Sequence, residues 1–372
     1  MSTAVSELDS LVHSNFAVSD SFQLPEGEME YKVAYTPDSK QRFSELRLKV
    51  APLGFTPWLT GSKDECILTL RKTQLPGSRQ SRVPTIMALL SLVSIISFSL
   101  LEKTLYGKFA PNLGGVAVIV SYSLCVVAIL SVHEAGHRYA ARRTRELPPI
   151  SYVIPGIPGV TTFLPAIGPL SAQKGPAVNR DGLFDVAIWG PLAAFILTLV
   201  LSVTGEFNTV QSSIPLQGNQ AVNSFVSVNF FNPSAIQYAL DALFAPLLSQ
   251  APAGFVVLSP VADAASVGFF LTFLGLLPIS SFDGGLVSWT VWGAKASRLA
   301  TYVSAFVLIS FDTLNYFAIA IFIILISGRQ LKVQFLDEVS AISPRRKWVY
   351  GGALALAFLC VPLPQLPWFG LA

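Results

Sequence analysis

Long apolar stretches with few or no charged side chains recur along the chain and predict membrane-spanning helices. Seven can be distinguished: Val83–Leu101, Phe109–Val132, Val186–Gly205, Pro260–Phe282, Leu299–Phe311, Thr313–Gly328 and Trp348–Leu363. The second contains 24 residues, and a helix needs about 20 to cross the hydrocarbon core of a bilayer. The fifth and sixth flank Asp312 and could form two short helices or one long broken helix. We therefore predict an all-α polytopic membrane protein with about seven transmembrane helices.

The residues before the first apolar stretch follow different patterns. Residues 1–27 are polar, Ser-rich and without periodicity, which predicts a disordered N-terminus. From residue 28 to 76 the pattern predicts a small cytoplasmic α/β domain. "MEYKVAY" and "ECILTLRK" alternate like strands, and "SKQRFSELRLKVAPLG" has helical spacing that stops at Gly54.

Composition and charge agree with a membrane protein and suggest its orientation. Hydrophobic residues make up 52% of the 372 residues and charged ones 13%, whereas a soluble domain has about 25% charged residues. The net charge of +3 is too small to suggest a nucleic-acid partner. Lys and Arg cluster before the first stretch and in alternate loops after it, while residues 183–294 contain neither. The positive-inside rule then places the N-terminus in the cytoplasm and the C-terminus outside.

The second apolar stretch ends in "SVHEAGHRYAARR", which has the spacing of a zinc site. His133 and His137 are four residues apart and so share one helix face, where both imidazoles can reach one divalent ion. Glu134 lies one position along, where it can act as general base on a water that the metal activates. The alternative is a pair of interfacial histidines, with Glu134 paired to Arg138. Because the chain has only three histidines and two form this motif, we favour the metal site.

A catalytic zinc needs a third protein ligand and an open position. Cys66, Cys125 and Cys360 lack CxxC spacing, and the remaining histidine, His13, lies in the polar N-terminus, so we expect a carboxylate. The candidates at membrane depth are Asp185, Asp263, Asp283 and Asp312. The topology puts Asp263 and Asp312 toward the outer side, whereas depth alone does not exclude Asp185. We choose Asp283, in "GLLPISSFDGG", because Pro278 and the glycine pair break a helix there; a mere helix-ending turn is the alternative.

These motifs together resemble the site-2 protease family of intramembrane zinc metalloproteases, of the peptidase M50 type. That family carries HExxH on one helix and N-x-x-P-x(4)-D-G on another, which HEAGH and "GLLPISSFDGG" match apart from the asparagine. "VNRDGLFDVAIWGPLAAF" is similar to the segment leading into the family's next core helix. "VSAISPRRKWVYGGALALAFLCVPLP" is similar to the C-terminal end of archaeal and plastid-type members. The resemblance implies a membrane-embedded metalloprotease domain, here 83–372, with a three-helix core formed by the second, third and fourth spans.

The resemblance also implies roles for individual residues. His133, His137 and Asp283 would bind one zinc ion per chain, and Glu134 would activate water. The family's asparagine falls at Gly275, so a group expected to steady the substrate carbonyl is missing. Loss of such a donor costs about two to three orders of magnitude in rate. We expect Gly275, Pro278 and Gly284 to border the substrate.

The implied function is zinc-dependent intramembrane endopeptidase activity, the chemistry of regulated intramembrane proteolysis. Its substrates would be single-span membrane-anchored proteins within the lipid bilayer, unwound locally into a strand. The apolar, Gly/Pro-broken segment Ile150–Ser171 predicts a re-entrant loop or hairpin that offers a strand edge to such a substrate. One alternative is an inactive or weakly active site-2-protease-like scaffold, which Gly275 favours. A transporter or channel would also place polar residues in broken helices, but it has no need for HExxH.

Overall fold

The structure is a computed structural model that describes residues 2–24, 28–73, 81–109, 114–158, 160–161, 164–208, 210–211, 234–248, 256–257, 259–311, 313–327 and 333–363. Within these ranges the protein is mostly helical. The helices are α1 Ser2–Asn15, α2 Ser39–Val50, α3 Val83–Phe109, α4 Gly115–Thr144, α5 Arg180–Glu206, α6 Ala235–Leu248, α7 Pro260–Leu276, α8 Asp283–Phe311, α9 Thr313–Ser327 and α10 Pro344–Cys360. The strands are β1 Val18–Gln23, β2 Met29–Val33, β3 Phe55–Gly61, β4 Cys66–Lys72, β5 Ile150–Pro155, β6 Ala166–Ala172, β7 Val210–Gln211 and β8 Val256–Val257.

The N-terminal region forms a four-stranded antiparallel sheet in the order β1-β2-β4-β3, with α1 and α2 packed on it. The predicted strands and helix between residues 29 and 72 are present. A 3-10 turn follows α2 and ends at Gly54, whose φ of 81° lies in the left-handed region that glycine adopts without strain.

The disorder predicted for residues 1–27 is wrong for the part that the structure describes. Leu8, Val12 and Phe16 are fully or almost fully buried against the sheet, and β1 pairs with β2. Leu8, Val12 and Phe16 lie four residues apart, which is a helical stripe. Because this stripe is narrow and surrounded by polar residues, the composition of residues 1–27 does not indicate a helix.

Helices lie in all seven stretches where the sequence predicts spans. Among the described residues, three segments are long and apolar enough to cross a membrane: Val83–Thr104 in α3, Gly115–Thr144 and Arg180–Glu206. Ala235–Phe244, Pro260–Leu276 and Tyr316–Ile326 are shorter apolar helices, so a count of seven spans stays a prediction. The helix α6, Ala235–Leu248, lies between the third and fourth predicted spans, where the sequence predicts no helix. The nonhelical backbone of Gly293 kinks α8, and Asp312 lies outside the described residues.

The helix α5 packs between α4 and α7, and these three helices form the centre of the larger hydrophobic core. They are the second, third and fourth predicted spans, the three-helix core that the family resemblance implies. Their shared core includes Tyr122, Val126, Phe184, Phe269 and Phe273, all fully or nearly fully buried. This packing sets the side chains of α4 opposite the C-terminal end of α7 and the beginning of α8.

The segment Ile150–Ser171 contains the predicted hairpin. The strands β5 and β6 pair antiparallel, with Ser151 opposite Ser171 and Val153 opposite Pro169. The helix α3 holds this hairpin by its serines. Ser91 Oγ donates to the Val153 carbonyl at 2.9 Å, and Ser94 Oγ donates to the carbonyls of Gly156 and Pro165 at 2.7 and 2.9 Å.

The N-terminal sheet is joined to residues 336–338, which precede α10, through backbone pairing. The Leu59 N–H of β3 donates to the Leu336 carbonyl at 2.7 Å, and Glu338 N–H returns a bond to the Leu59 carbonyl at 3.0 Å. From α2, Lys40 Nζ lies 3.0 Å from Asp181 Oδ2 on α5. The sheet is therefore connected to the N-terminal end of α5 and to the segment that precedes α10.

Candidate metal centre

The helix α4 carries both predicted histidines on one face. His133 and His137 are separated by one turn, and their Nε2 atoms lie 3.1 Å apart. Both rings are buried, His137 completely. Two imidazole nitrogens at this separation in a buried site suit a shared divalent cation.

Close contact with α5 fixes the ring of His137. Its Nδ1–H donates to the carbonyl of Val186 at 2.8 Å, since a carbonyl can only accept, and this leaves Nε2 free as a ligand atom. The ring packs on Gly190, where a Cβ would lie 2.3 Å from Nε2 of His137. Only glycine permits this approach. The sequence reasoning missed Val186 and Gly190, although "AIWGP" places a glycine in the middle of an apolar helix.

Asp283 is the first residue of α8 and completes the group. Its Oδ2 lies 2.9 Å from His133 Nε2, and its Oδ1 lies 3.3 Å from His137 Nε2. The loop from Leu277 to Phe282 folds tightly to place it. A Cβ at Gly284 would lie 2.2 Å from the Leu277 carbonyl oxygen, so glycine is required there.

His133, His137 and Asp283 form a donor set that fits a divalent metal. One ligand atom of each residue lies within 4.8 Å of the others, and all three residues are buried. Two imidazoles and one carboxylate are a ligand set found in catalytic zinc sites, in which the fourth position is left for water or substrate.

Glu134 stays outside this group of ligands but lies beside it. Its Oε1 accepts from Arg138 Nε at 2.9 Å, and its Oε2 accepts from Ser151 Oγ of the hairpin at 2.6 Å. The alternative hypothesis, a pair of interfacial histidines, predicts this ion pair between Glu134 and Arg138. It does not predict that both histidines contact Asp283, as they do here.

The rival carboxylates lie elsewhere. Asp185 pairs with Arg346, with Oδ1 2.8 Å from Nε and Oδ2 2.5 Å from Nη2. Asp263 is on the first turn of α7, about 18 Å along this helix from Gly275, which borders the site. Its carboxylate accepts a hydrogen bond from Tyr106. Asp312 is outside the described residues.

Gly275, Pro278 and Gly284 lie around the metal group in different ways. A Cβ at Gly275 would be 4.0 Å from His133 Cε1 and 3.5 Å from Pro191 Cγ, so this position borders the site and a Cβ fits there in ordinary van der Waals contact. The carbonyl of Pro278 accepts from Thr301 Oγ1 at 3.1 Å, which fixes the loop. Gly284 is tightly enclosed. A role in binding substrate stays a prediction for all three.

At the C-terminal end of α4 the chain turns at Arg145, whose φ of 57° is left-handed. Arg47 of α2 donates two hydrogen bonds to the Arg145 carbonyl, at 3.1 and 3.2 Å. The next residue, Glu146, accepts from the Val178 N–H. Burial raises the pKa of Glu146 to about 7, against the lowering effect of that hydrogen bond and of Arg47.

An HExxH motif on an apolar helix, completed by an aspartate from a distant helix, defines a metalloprotease-like centre within a membrane protein. Residues 121–311, about half of the chain, match the model of peptidase family M50, and the chain belongs to that family. This range includes the HEAGH motif, the hairpin and Asp283.

The chain is also similar to curated plant proteins. It is 26% identical over 257 residues to the probable zinc metalloprotease EGY2, chloroplastic, of Arabidopsis thaliana, covering 65% of this chain and 41% of that protein. It is 27% identical over 250 residues to the protein of the same name from Oryza sativa subsp. indica, covering 65% and 42%. Against the probable zinc metalloprotease EGY1, chloroplastic, of Arabidopsis thaliana the identity is 27% over 245 residues, covering 63% and 41%. The chain thus spans about two fifths of the length of these relatives. No solved structure is significantly similar to it.

Proposed function

We propose that this protein is a zinc-dependent endopeptidase that hydrolyses peptide bonds within or near transmembrane helices. The observation that carries this proposal is the meeting of His133, His137 and Asp283, with Glu134 one position along the same helix. Membership of peptidase family M50 and the names of the plant relatives support it.

The residues divide the chemistry between them. His133, His137 and Asp283 would hold a zinc ion, which when bound would supply the Lewis acid that lets water act as a nucleophile near neutral pH. Glu134 takes the proton from that water as it attacks the peptide carbonyl, then delivers it to the leaving amine. The hydrogen bond that His137 Nδ1–H donates to the Val186 carbonyl keeps this imidazole in the tautomer that can bind metal through Nε2.

The placement of this group within apolar helices supports a membrane-embedded substrate. The motif lies in a helix of spanning length, and all three ligand residues are buried among α4, α5 and α8. A helical peptide protects its own carbonyls by hydrogen bonds and side chains. The substrate would therefore unwind into an extended strand before cleavage.

The hairpin suits the binding of such a strand. Ser151 of β5 contacts Glu134, so a chain that paired with the edge of β5 would pass the proposed base. Ser91 on α3 donates to the Val153 carbonyl, and a pairing strand would displace this contact. Gly275, where a Cβ would lie 4.0 Å from His133 Cε1, would border the same path.

The partners we propose are single-span membrane proteins in a lipid bilayer, cleaved as a step of regulated intramembrane proteolysis. The orientation proposed from the loop charges puts the active-site side and the N-terminal domain in the cytoplasm, with the C-terminus outside. Arg142, Arg143 and Arg145 at the end of the motif helix support this orientation.

A weakly active or inactive membrane scaffold is a second candidate, because Gly275 stands where the resembling family has asparagine. Glycine supplies no side-chain hydrogen-bond donor at this position, which borders His133. The intact ligand group and Glu134 favour the enzyme.

The test is co-expression with a panel of single-span substrates. Cleavage by the wild type, lost in Glu134→Gln, supports the protease. Equal cleavage in both, or in neither, contradicts it.

A further inference from the structure

Two serines of the hairpin each donate a hydrogen bond to one carboxylate of the proposed active site. Ser151 Oγ lies 2.6 Å from Glu134 Oε2, and Ser171 Oγ lies 2.5 Å from Asp283 Oδ1. The two serines are opposite each other in the register of β5 and β6. A single cross-strand pair therefore touches both the proposed base and the proposed third ligand.

We propose that Ser151 and Ser171 are positioning residues: Ser171 orients Asp283 toward the metal, and Ser151 orients Glu134 toward the attacking water. This inference rests on the proposed function and deepens it, since it assigns to the hairpin a role in catalysis beyond binding a substrate strand.

Ser171 fixes the carboxylate of Asp283 from the side opposite to His133. Asp283 Oδ2 faces His133, while Oδ1 accepts from Ser171, which is itself 2% exposed. A second bond, from Ser171 N–H to the Ser281 carbonyl at 3.0 Å, ties β6 to the loop that precedes Asp283. A hydroxyl that donates to an ionised ligand sets the ligand's rotamer, and loss of such a contact typically lowers metal affinity or activity about 10- to 100-fold.

Ser151, on β5, fixes the carboxylate of Glu134, on α4, in the same way. The other partner of Glu134 is Arg138, whose side chain is 63% exposed and four residues along the same helix. Exposed pairs of this kind hold geometry weakly. The short hydrogen bond from Ser151 is therefore the contact that aims the carboxylate, which would otherwise rotate about its side-chain bonds.

Because the two serines are cross-strand partners, a shift of the hairpin moves both contacts together. A substrate strand that seats against β5 would therefore act on the ligand and the base at the same time. Contacts of α3 with the hairpin, such as that of Ser94, lie farther from the two carboxylates.

The experiment compares Ser171→Ala and Ser151→Ala with Ser94→Ala in the full chain. Ser94→Ala removes two hydrogen bonds that anchor the hairpin but none that reaches Glu134 or Asp283. Zinc affinity is measured by competition with a chelator, in the Glu134→Gln background, so that this readout needs no activity. Cleavage kinetics are measured in the otherwise wild-type chain, and thermal unfolding confirms that each variant is folded.

We expect Ser171→Ala to weaken zinc binding by about 10- to 100-fold. We expect Ser151→Ala to leave zinc affinity and KM within about twofold and to lower kcat by about 10-fold or more, with recovery in Ser151→Thr, which keeps the hydroxyl. Ser94→Ala should change zinc affinity little. Wild-type zinc affinity in Ser171→Ala, an equal loss in Ser94→Ala, or an unchanged kcat in Ser151→Ala would overturn the inference.

The same series separates this inference from the proposed function. If Glu134→Gln still cleaves, or if His133→Ala keeps the wild-type zinc affinity, the proposed function itself fails. If those two variants are inactive and zinc-depleted respectively, while the serine variants behave as wild type, only the role of the serines fails.

Discussion

The Nε2 atom of His133 lies 2.9 Å from Oδ2 of Asp283, although 150 residues separate them along the chain. The packing of α5 against α4 and α7 brings them together, because it sets the end of α7 and the start of α8 against the motif helix. His137 lies 3.3 Å from the other oxygen of the same carboxylate. The site therefore forms only in the folded core, and the assignment of its three ligands can be tested directly by mutation.

Asp283→Ala should lose most of the bound zinc and the cleavage activity, because two histidines alone hold zinc weakly. Asp185→Ala is the matched control, since this aspartate lies at the start of the neighbouring helix and pairs with Arg346 instead. That partly exposed ion pair contributes about 1 kcal/mol or less. Metal analysis of both purified variants decides the matter: full zinc in Asp283→Ala with loss in Asp185→Ala would mean that the third ligand is misassigned.

Gly275→Asn should raise kcat, because it restores an amide donor at a position that borders His133. The added Cβ makes only ordinary van der Waals contact, 3.5 Å from Pro191 Cγ. Since one oxyanion donor contributes about two to three orders of magnitude, we expect an increase of about tenfold or more. Gly275→Leu, of similar size without a donor, is the control. An equal or lower kcat in the asparagine variant would show that another group already fills this role.

Stability at the junction of α4 and the N-terminal domain should fall as pH rises toward 7. Burial raises the pKa of Glu146 to about 7, so the folded protein keeps a proton that the unfolded chain releases above about pH 4.3. The unfolded state is therefore favoured increasingly between about pH 4.3 and 7, by no more than about 4 kcal/mol.

Glu146→Gln should flatten this dependence, since glutamine does not ionise and keeps an acceptor for the Val178 N–H. The measurement is the thermal midpoint of the detergent-solubilised protein from pH 5 to 8. Glu45→Gln, an exposed change on α2, is the control. The same slope in wild type and Glu146→Gln would assign the pH dependence to other groups.

A reporter fused after Arg329 should behave as cytoplasmic, and one fused within Phe207–Leu240 as external. The Lys and Arg clusters all lie on one side of the predicted topology, while residues 183–294 contain neither residue. Activity of a compartment-specific reporter at each fusion point tests this. The reverse pattern would move the metal group to the other face of the membrane.

The parts of the site that the sequence predicts are those with a local signature. HEAGH has helical spacing, and the broken helix before Asp283 combines proline, glycine and a carboxylate at membrane depth. The hairpin could be predicted from its Gly/Pro-broken, β-branched composition. Each of these signals is contained within a few residues of the chain.

The remaining features depend on contacts between distant segments. Ser151 and Ser171 are ordinary polar residues until folding sets them beside Glu134 and Asp283. The pairing of Leu59 with residues 336–338 has no sequence signature, because backbone groups make it. The helix α1 was missed since its buried residues, Leu8, Val12 and Phe16, stabilise it only by packing on the sheet.

The most direct test of the central claim measures zinc content and substrate cleavage together in Glu134→Gln. The change removes the proposed base and leaves His133, His137 and Asp283 in place. We predict about one zinc per chain in both wild type and variant, with cleavage reduced by at least about 100-fold in the variant. Cleavage by Glu134→Gln at close to the wild-type rate, with zinc bound, would contradict the account.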